Sequence, residues 1–125
     1  MTEQRPLSVL VVDDDEDIRE VLSEILRARG YAVQTAAEGR EALALLRAGA
    51  PPALILLDMR MPGMSGWEFR HEQRRDPQLA GIPIVVLSGG NLRGVAASLG
   101  AADVLAKPVD LDELTAKIEQ HARRA

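Results

Sequence analysis

Cysteine is absent from the 125 residues, so neither a disulfide framework nor a thiolate metal site is open to this chain. A basic excess is missing too. The 15 Lys and Arg against 19 Asp and Glu leave a formal charge of −4 at pH 7, which argues against a surface that coats nucleic acid and against direct DNA binding. No apolar run approaches membrane-spanning length, and the N-terminal MTEQRPLSVLVV lacks the length and the small-residue cleavage site of a signal peptide. The glycines of SGGNLRG, residues 88–94, match neither GxxxxGK[ST] nor GxGxxG, so they read as a flexible loop rather than a phosphate cradle. Internal repeats, low-complexity tracts and linkers are lacking as well. What remains is a chain of one-domain length that can bury roughly two-thirds of its unfolded surface. The expectation is a soluble cytoplasmic domain filling residues 1–125, with no membrane association.

Apolar stretches of strand length recur at Leu7 to Val12, Tyr31 to Ala36, Leu54 to Leu57, Ile82 to Leu87 and Val104 to Ala106. Helical patterns lie between them. Ile18, Val21, Leu22, Ile25 and Leu26 follow the i, i+3, i+4, i+7, i+8 spacing of one helix face, and Gly30 stands where such a helix stops. A second pattern runs from near Glu38 to Ala48 with Ala42, Leu45 and Leu46 inward, halted by Gly49 and Pro51-Pro52. A third opens near Ser65, after the turn signal Met61-Pro62-Gly63-Met64, and stops before Asp76-Pro77. The fourth, Asn91 to Leu99, is short and holds Gly94, which makes it the least stable. The last starts near Asp110 or Leu111 and carries Leu114, Ile118 and Ala122. This alternation implies an α/β, doubly wound fold with a five-stranded parallel sheet and helices on both faces. Right-handed crossovers leave few topologies, among which the flavodoxin-like order 2-1-3-4-5 suits five strands.

Open parallel sheets bind ligands beyond the carboxyl ends of their strands. Strand 1 ends in Asp13-Asp14, strand 3 in Asp58, strand 4 in Ser88 and strand 5 in Lys107. Core packing does not require three acids, a hydroxyl and an ammonium at one sheet edge. Carboxylates about 4 Å apart repel by roughly 4 kcal/mol per pair at an effective dielectric of 20, so converging acids need a cation or must hold their protons more tightly. Oxygen ligands with open positions suit Mg²⁺, which keeps waters and takes phosphate oxygens, better than a full calcium cage. A metal beside a carboxylate with a lysine opposite is a frame for phosphoryl transfer, the carboxylate attacking in line.

These residues resemble the receiver domain of bacterial two-component response regulators, the CheY-like group. The resemblance covers nearly the whole chain. It rests on the acidic pair of VVDD, the segment LLDMRMPGMSG around Asp58, the hydroxyl ending strand 4 and the Lys107-Pro108 dipeptide ending strand 5. It implies a phosphorylation switch in a phosphorelay. Asp58 would accept a phosphoryl group, as an aspartyl phosphate, from phosphohistidine on a histidine kinase or histidine phosphotransfer protein. Asp14 and Asp58 would ligate Mg²⁺ with the backbone carbonyl of Arg60, while Asp13 would hold the metal's water. Lys107 would pair with the phosphoacceptor and then with a phosphate oxygen, and Ser88 would move in to donate a hydrogen bond. The same resemblance implies a cis peptide at Pro108, self-catalysed phosphorylation and dephosphorylation, a monomer or weak phosphorylation-dependent dimer, and an unknown downstream protein as output.

Blander readings apply to several residues. Asp15, Glu16 and Asp17 read as first-turn acids that favour a helix dipole, worth about 0.3 to 1 kcal/mol. His71 and His121 fall in predicted helices among polar neighbours and are expected to be exposed; neither is a phosphodonor candidate. Trp67 reads as a packing residue near the start of helix 3. Three features depart from the family pattern. Val104 stands where many receivers carry an aromatic that swings inward on activation, and a β-branched residue has little comparable motion. The stretch from Ser88 to Lys107 is a few residues short. No output domain follows helix 5 within the chain. Two alternatives belong to other function classes: a haloacid-dehalogenase-type phosphatase, which needs an acid where Arg60 stands, and a receiver-like interaction module that no longer takes phosphate.

Overall fold

A computed structural model describes residues 7–89 and 93–122. Five strands alternate with five helices: β1 Ser8–Val12, α1 Glu16–Ala28, β2 Ala32–Ala36, α2 Gly39–Ala48, β3 Leu54–Asp58, α3 Gly66–Arg75, β4 Ile84–Ser88, α4 Arg93–Leu99, β5 Asp103–Ala106 and α5 Leu111–His121. The strands are parallel and lie in the expected order β2-β1-β3-β4-β5. Asn91 and Leu92, the expected start of helix 4, and residues 90–92 of the expected loop lie outside the described residues.

Burial follows strand position. The central β3, LILLD, is buried along its whole length, whereas the edge strand β2 alternates between exposed and partly buried residues until Ala36. Pleating sends alternate side chains to opposite faces. Val9, Val11, Leu54, Leu56, Val85, Leu87 and Leu105 therefore meet Leu22 and Leu26 of α1 and Leu114 and Ile118 of α5. On the other face, Leu10, Val12, Ile55, Leu57, Ile84 and Val86 meet Ala42, Leu43 and Leu46 of α2, Phe69 of α3 and Leu99 of α4.

Helix starts are built locally. Asp15 caps α1, its side chain accepting from the backbone N–H groups of Asp17 and Ile18. Ser65 and Glu68 form a reciprocal capping box at α3, and Asp110 accepts from Glu113 N–H at α5. At the far end of α1, Gly30 takes a φ of 94°, a left-handed conformation that suits glycine at a helix stop.

Several expectations need correction. Val21 is 52% exposed, and Ser23 is buried in its stead. With about 100° between successive helix residues, the two point in opposite directions, and α1 is rolled so that Ser23 and Leu26 face inward. In α2 the buried set is Ala42, Leu43 and Leu46, with Leu45 only partly buried. Trp67 is 47% exposed because α3 turns Phe69 and Gln73 inward, roughly the opposite side. Ile82 is buried but precedes β4: its N–H donates to Leu79 O in a loop held by Gln73, whose amide nitrogen donates to the carbonyls of Leu79 and Ile82.

Candidate functional site

The sheet register brings the strand ends together. Val12 lies beside Leu57 and Asp58 beside Leu87, so Asp13, Asp58 and Ser88 leave neighbouring strands at one edge. Lys107 follows β5, and its N–H donates to Ser88 O at 2.8 Å. The Lys107-Pro108 peptide bond is cis. Behind Asp58, a Cβ on Gly66 would run into Met59, so the start of α3 packs closely against the residue after the acid.

One carboxylate oxygen from each of Asp13, Asp14 and Asp58 lies within 4.8 Å of the other two. Asp13 is buried, with Oδ1 accepting from Asp15 N–H at 2.9 Å and Oδ2 2.9 Å from Lys107 Nζ. Asp58 is also buried; Oδ1 accepts from Arg60 N–H at 3.2 Å and Oδ2 is 3.7 Å from Lys107 Nζ. Asp14 is exposed at the rim. Lys107 thus sits nearer to Asp13 than to Asp58, where the resemblance implied a pairing with the phosphoacceptor. A fully buried carboxylate draws the one ammonium within reach, since an unpaired charge there is costly. Ser88 is half-buried at the end of β4, and Val104 is half-buried against the α2–α4 face of the core.

Charge in this cluster is unbalanced. Burial raises the Asp58 carboxyl to about 6; Arg60 N–H and Lys107 pull it down, while Asp13 and Asp14 push it up. Burial alone would lower the Lys107 ammonium, but its close ion pair with Asp13, and its attraction to Asp58 and Asp14, raise it instead. Three acids share one ammonium. Oxygen donors with residual negative charge and a solvent-facing side match a hard divalent ion that keeps water ligands.

A second charged group, at the opposite end of β5, escaped the sequence reading. Asp103 Oδ1 is 2.9 Å from Lys117 Nζ, and Asp103 Oδ2 is 2.9 Å from Nε2 of His121. Lys117 also donates to Val104 O at 2.7 Å and lies 3.3 Å from Glu113. His121 is therefore half-buried and partnered, contrary to expectation, whereas His71 is exposed. The i, i+4 spacing of Lys117 and His121 was visible, but nothing local said that a strand aspartate would meet them. Arg19, whose Nη1 donates to Asp13 O at 2.8 Å, was missed for the same reason.

The family model for the response regulator receiver domain matches residues 9–119. The chain belongs to this family. Response regulator MprA of Mycolicibacterium vanbaalenii is 38% identical over 122 residues, covering 95% of this receiver domain and 52% of the relative. The probable transcriptional regulator ycf27 of Porphyridium aerugineum is 36% identical over 93% of this chain and 48% of its own length. The receiver domain thus spans about half the length of these curated relatives. Among solved structures, chemotaxis protein CheY4 of Vibrio cholerae superposes with a TM-score of 0.86 at 34% identity, covering 93% of this chain and 98% of that one. Response regulator TrrA of Thermotoga maritima, in complex with Mg(2+)-BeF, gives 0.80 at 36% identity, covering 91% of this receiver domain and 97% of TrrA. Among the described residues, no helix is long and apolar enough to cross a membrane.

Proposed function

We propose that this receiver domain is a cytoplasmic phosphorylation switch and that Asp58 is its phosphoacceptor. One observation carries the reading: Asp58 ends the central strand within 4.8 Å of two other carboxylates and 3.7 Å from an ammonium. At neutral pH a carboxyl of pKa about 6 is mostly ionised and can attack phosphorus. In that step an Asp58 oxygen forms the new O–P bond while the N–P bond of a phosphohistidine breaks, leaving the donor's imidazole. A histidine kinase or histidine phosphotransfer protein fits as that donor. Lys107 can follow the charge, leaving its 3.7 Å approach to Asp58 for a phosphoryl oxygen, and Ser88 supplies a hydroxyl from the adjacent strand end.

Asp14, Asp58 and the carbonyl of Arg60 would ligate Mg²⁺, with Asp13 holding a metal-bound water. When bound, the ion supplies positive charge to the oxygens of the transferring group. Support comes from the donor set itself, which is all oxygen and short of positive charge. The domain then signals to a downstream protein through a changed surface. With Val104 at the position of the usual aromatic, that change does not rest on an aromatic rotamer.

Incubation with Mg²⁺ and acetyl phosphate, followed by intact-mass measurement, tests the proposal. The expected result is one added phosphoryl group, absent in Asp58→Asn. No adduct with acetyl phosphate or with phosphorylated histidine kinases would leave the interaction-module reading in its place.

A further inference from the structure

Of the three clustered acids, Asp14 alone makes no hydrogen bond or ion pair among the described residues. Its carboxylate nevertheless lies within 4.8 Å of the other two. A short side chain held by no hydrogen bond or ion pair takes its direction from its backbone, because Cα–Cβ and one staggered torsion set where the carboxylate goes. The peptide unit between Asp13 and Asp14 decides that direction, and it is also where the chain leaves the sheet. Asp13 N–H still donates to Ala36 O at 3.1 Å. Asp13 C=O has no backbone donor among the described residues and accepts from Arg19 Nη1 at 2.8 Å instead. Arg19 lies half-buried in the second turn of α1 and reaches back past the Asp15 cap to make this bond.

We propose that Arg19 is the positioning residue for Asp14: by holding the Asp13–Asp14 peptide in place, it aims a carboxylate that no hydrogen bond or ion pair among the described residues aims. The inference rests on reading the acid cluster as a Mg²⁺ site. It makes a prediction against simple electrostatics. Removing a cation beside three acids should tighten binding of a divalent ion if charge alone mattered. If positioning dominates, removal weakens it, as loss of a group that orients a ligand weakens metal sites by about 10- to 100-fold.

The test is calorimetric Mg²⁺ titration of wild type, Arg19→Ala, Arg19→Lys, Asp14→Asn and the Arg19→Ala/Asp14→Asn double variant. Amide exchange of the metal-free proteins across residues 13–18 runs alongside. The expected results are an affinity loss of about tenfold in Arg19→Ala, recovery of most of it in Arg19→Lys, and faster exchange around Asp14 without metal. In the Asp14→Asn background, Arg19→Ala should cost little more, because a residue acting through Asp14 has nothing left to aim. Should Arg19→Ala not fold, Arg19→Lys and Arg19→Met carry the comparison, Met being the weaker binder. Tighter or unchanged binding in Arg19→Ala, or an equal loss with and without the Asp14 carboxylate, overturns the assignment while leaving the metal site standing. A wild-type protein that takes up no Mg²⁺ at millimolar concentration overturns both.

Discussion

The two ends of the sheet hold the same kinds of residue in opposite conditions. Beyond the carboxyl ends, Asp13, Asp14 and Asp58 share Lys107, and the Asp58 carboxyl is raised to about 6. At the amino end of β5, burial would also raise Asp103, but hydrogen bonds from Lys117, Val104 N–H and His121 outweigh it and hold that carboxyl down at about 2. The difference is supply of positive charge and donors. Asp103 has an ammonium of its own and hydrogen-bond partners on both oxygens, so it is satisfied and ties β5 to α5. Asp58 has fewer, so it stays available to a cation and to an electrophile.

Adding a divalent ion tests this contrast most strongly. Mg²⁺ at about a hundredfold over its dissociation constant should stabilise the wild type by about 2.7 kcal/mol, read as a rise in melting temperature. Asp14→Ala and Asp58→Ala should lose that response and Asp103→Ala should keep it. A melting curve indifferent to millimolar Mg²⁺ would remove the distinction between the two ends.

Asp103→Ala should itself cost about 2 kcal/mol in urea unfolding, since it strips Lys117 and His121 of a charge-assisted partner. Partial exposure at this site keeps the loss below that of a fully buried pair. Asp58→Asn should do the reverse. It should stabilise the metal-free protein by about 1 kcal/mol at pH 7 to 8, by removing a charge that burial disfavours and relieving its repulsion from Asp13 and Asp14.

Acid titration separates the two groups by sign. Asp58 binds its proton more tightly folded than unfolded, so its stability penalty is complete above its pKa of about 6 and fades as pH falls toward 3.8. Asp103 binds its proton less tightly when folded. Its contribution is complete above 3.8 and is lost as pH falls toward 2. Wild type minus Asp58→Asn should therefore converge between pH 6 and 4. Wild type minus Asp103→Ala should stay constant over that range and shrink only below it.

Most of the fold was legible because the apolar runs and helix periods repeat five times with short connections. The acids of the site were legible because each ends an apolar strand, and parallel strands bring such ends together. Inward faces were less legible: Val21 and Ser23 exchanged places, since periodicity marks a stripe but not the roll of the helix against its sheet. Contacts between distant segments were invisible. Arg19 gives no sign in sequence that it returns to Asp13, nor Asp103 that it will meet Lys117 and His121.

The chain's own order of residues determined the α/β class, the parallel sheet and which acids, hydroxyl and lysine meet at its edge, because local pattern and strand direction suffice for these. Tertiary packing alone decided how those charges are shared. Lys107 lies nearer Asp13 than Asp58, Asp14 stands exposed beside two buried acids, and one aspartate is satisfied while another is not. The reason is physical: burial and the geometry of partners set the energy of a charge, and both are properties of the assembled fold.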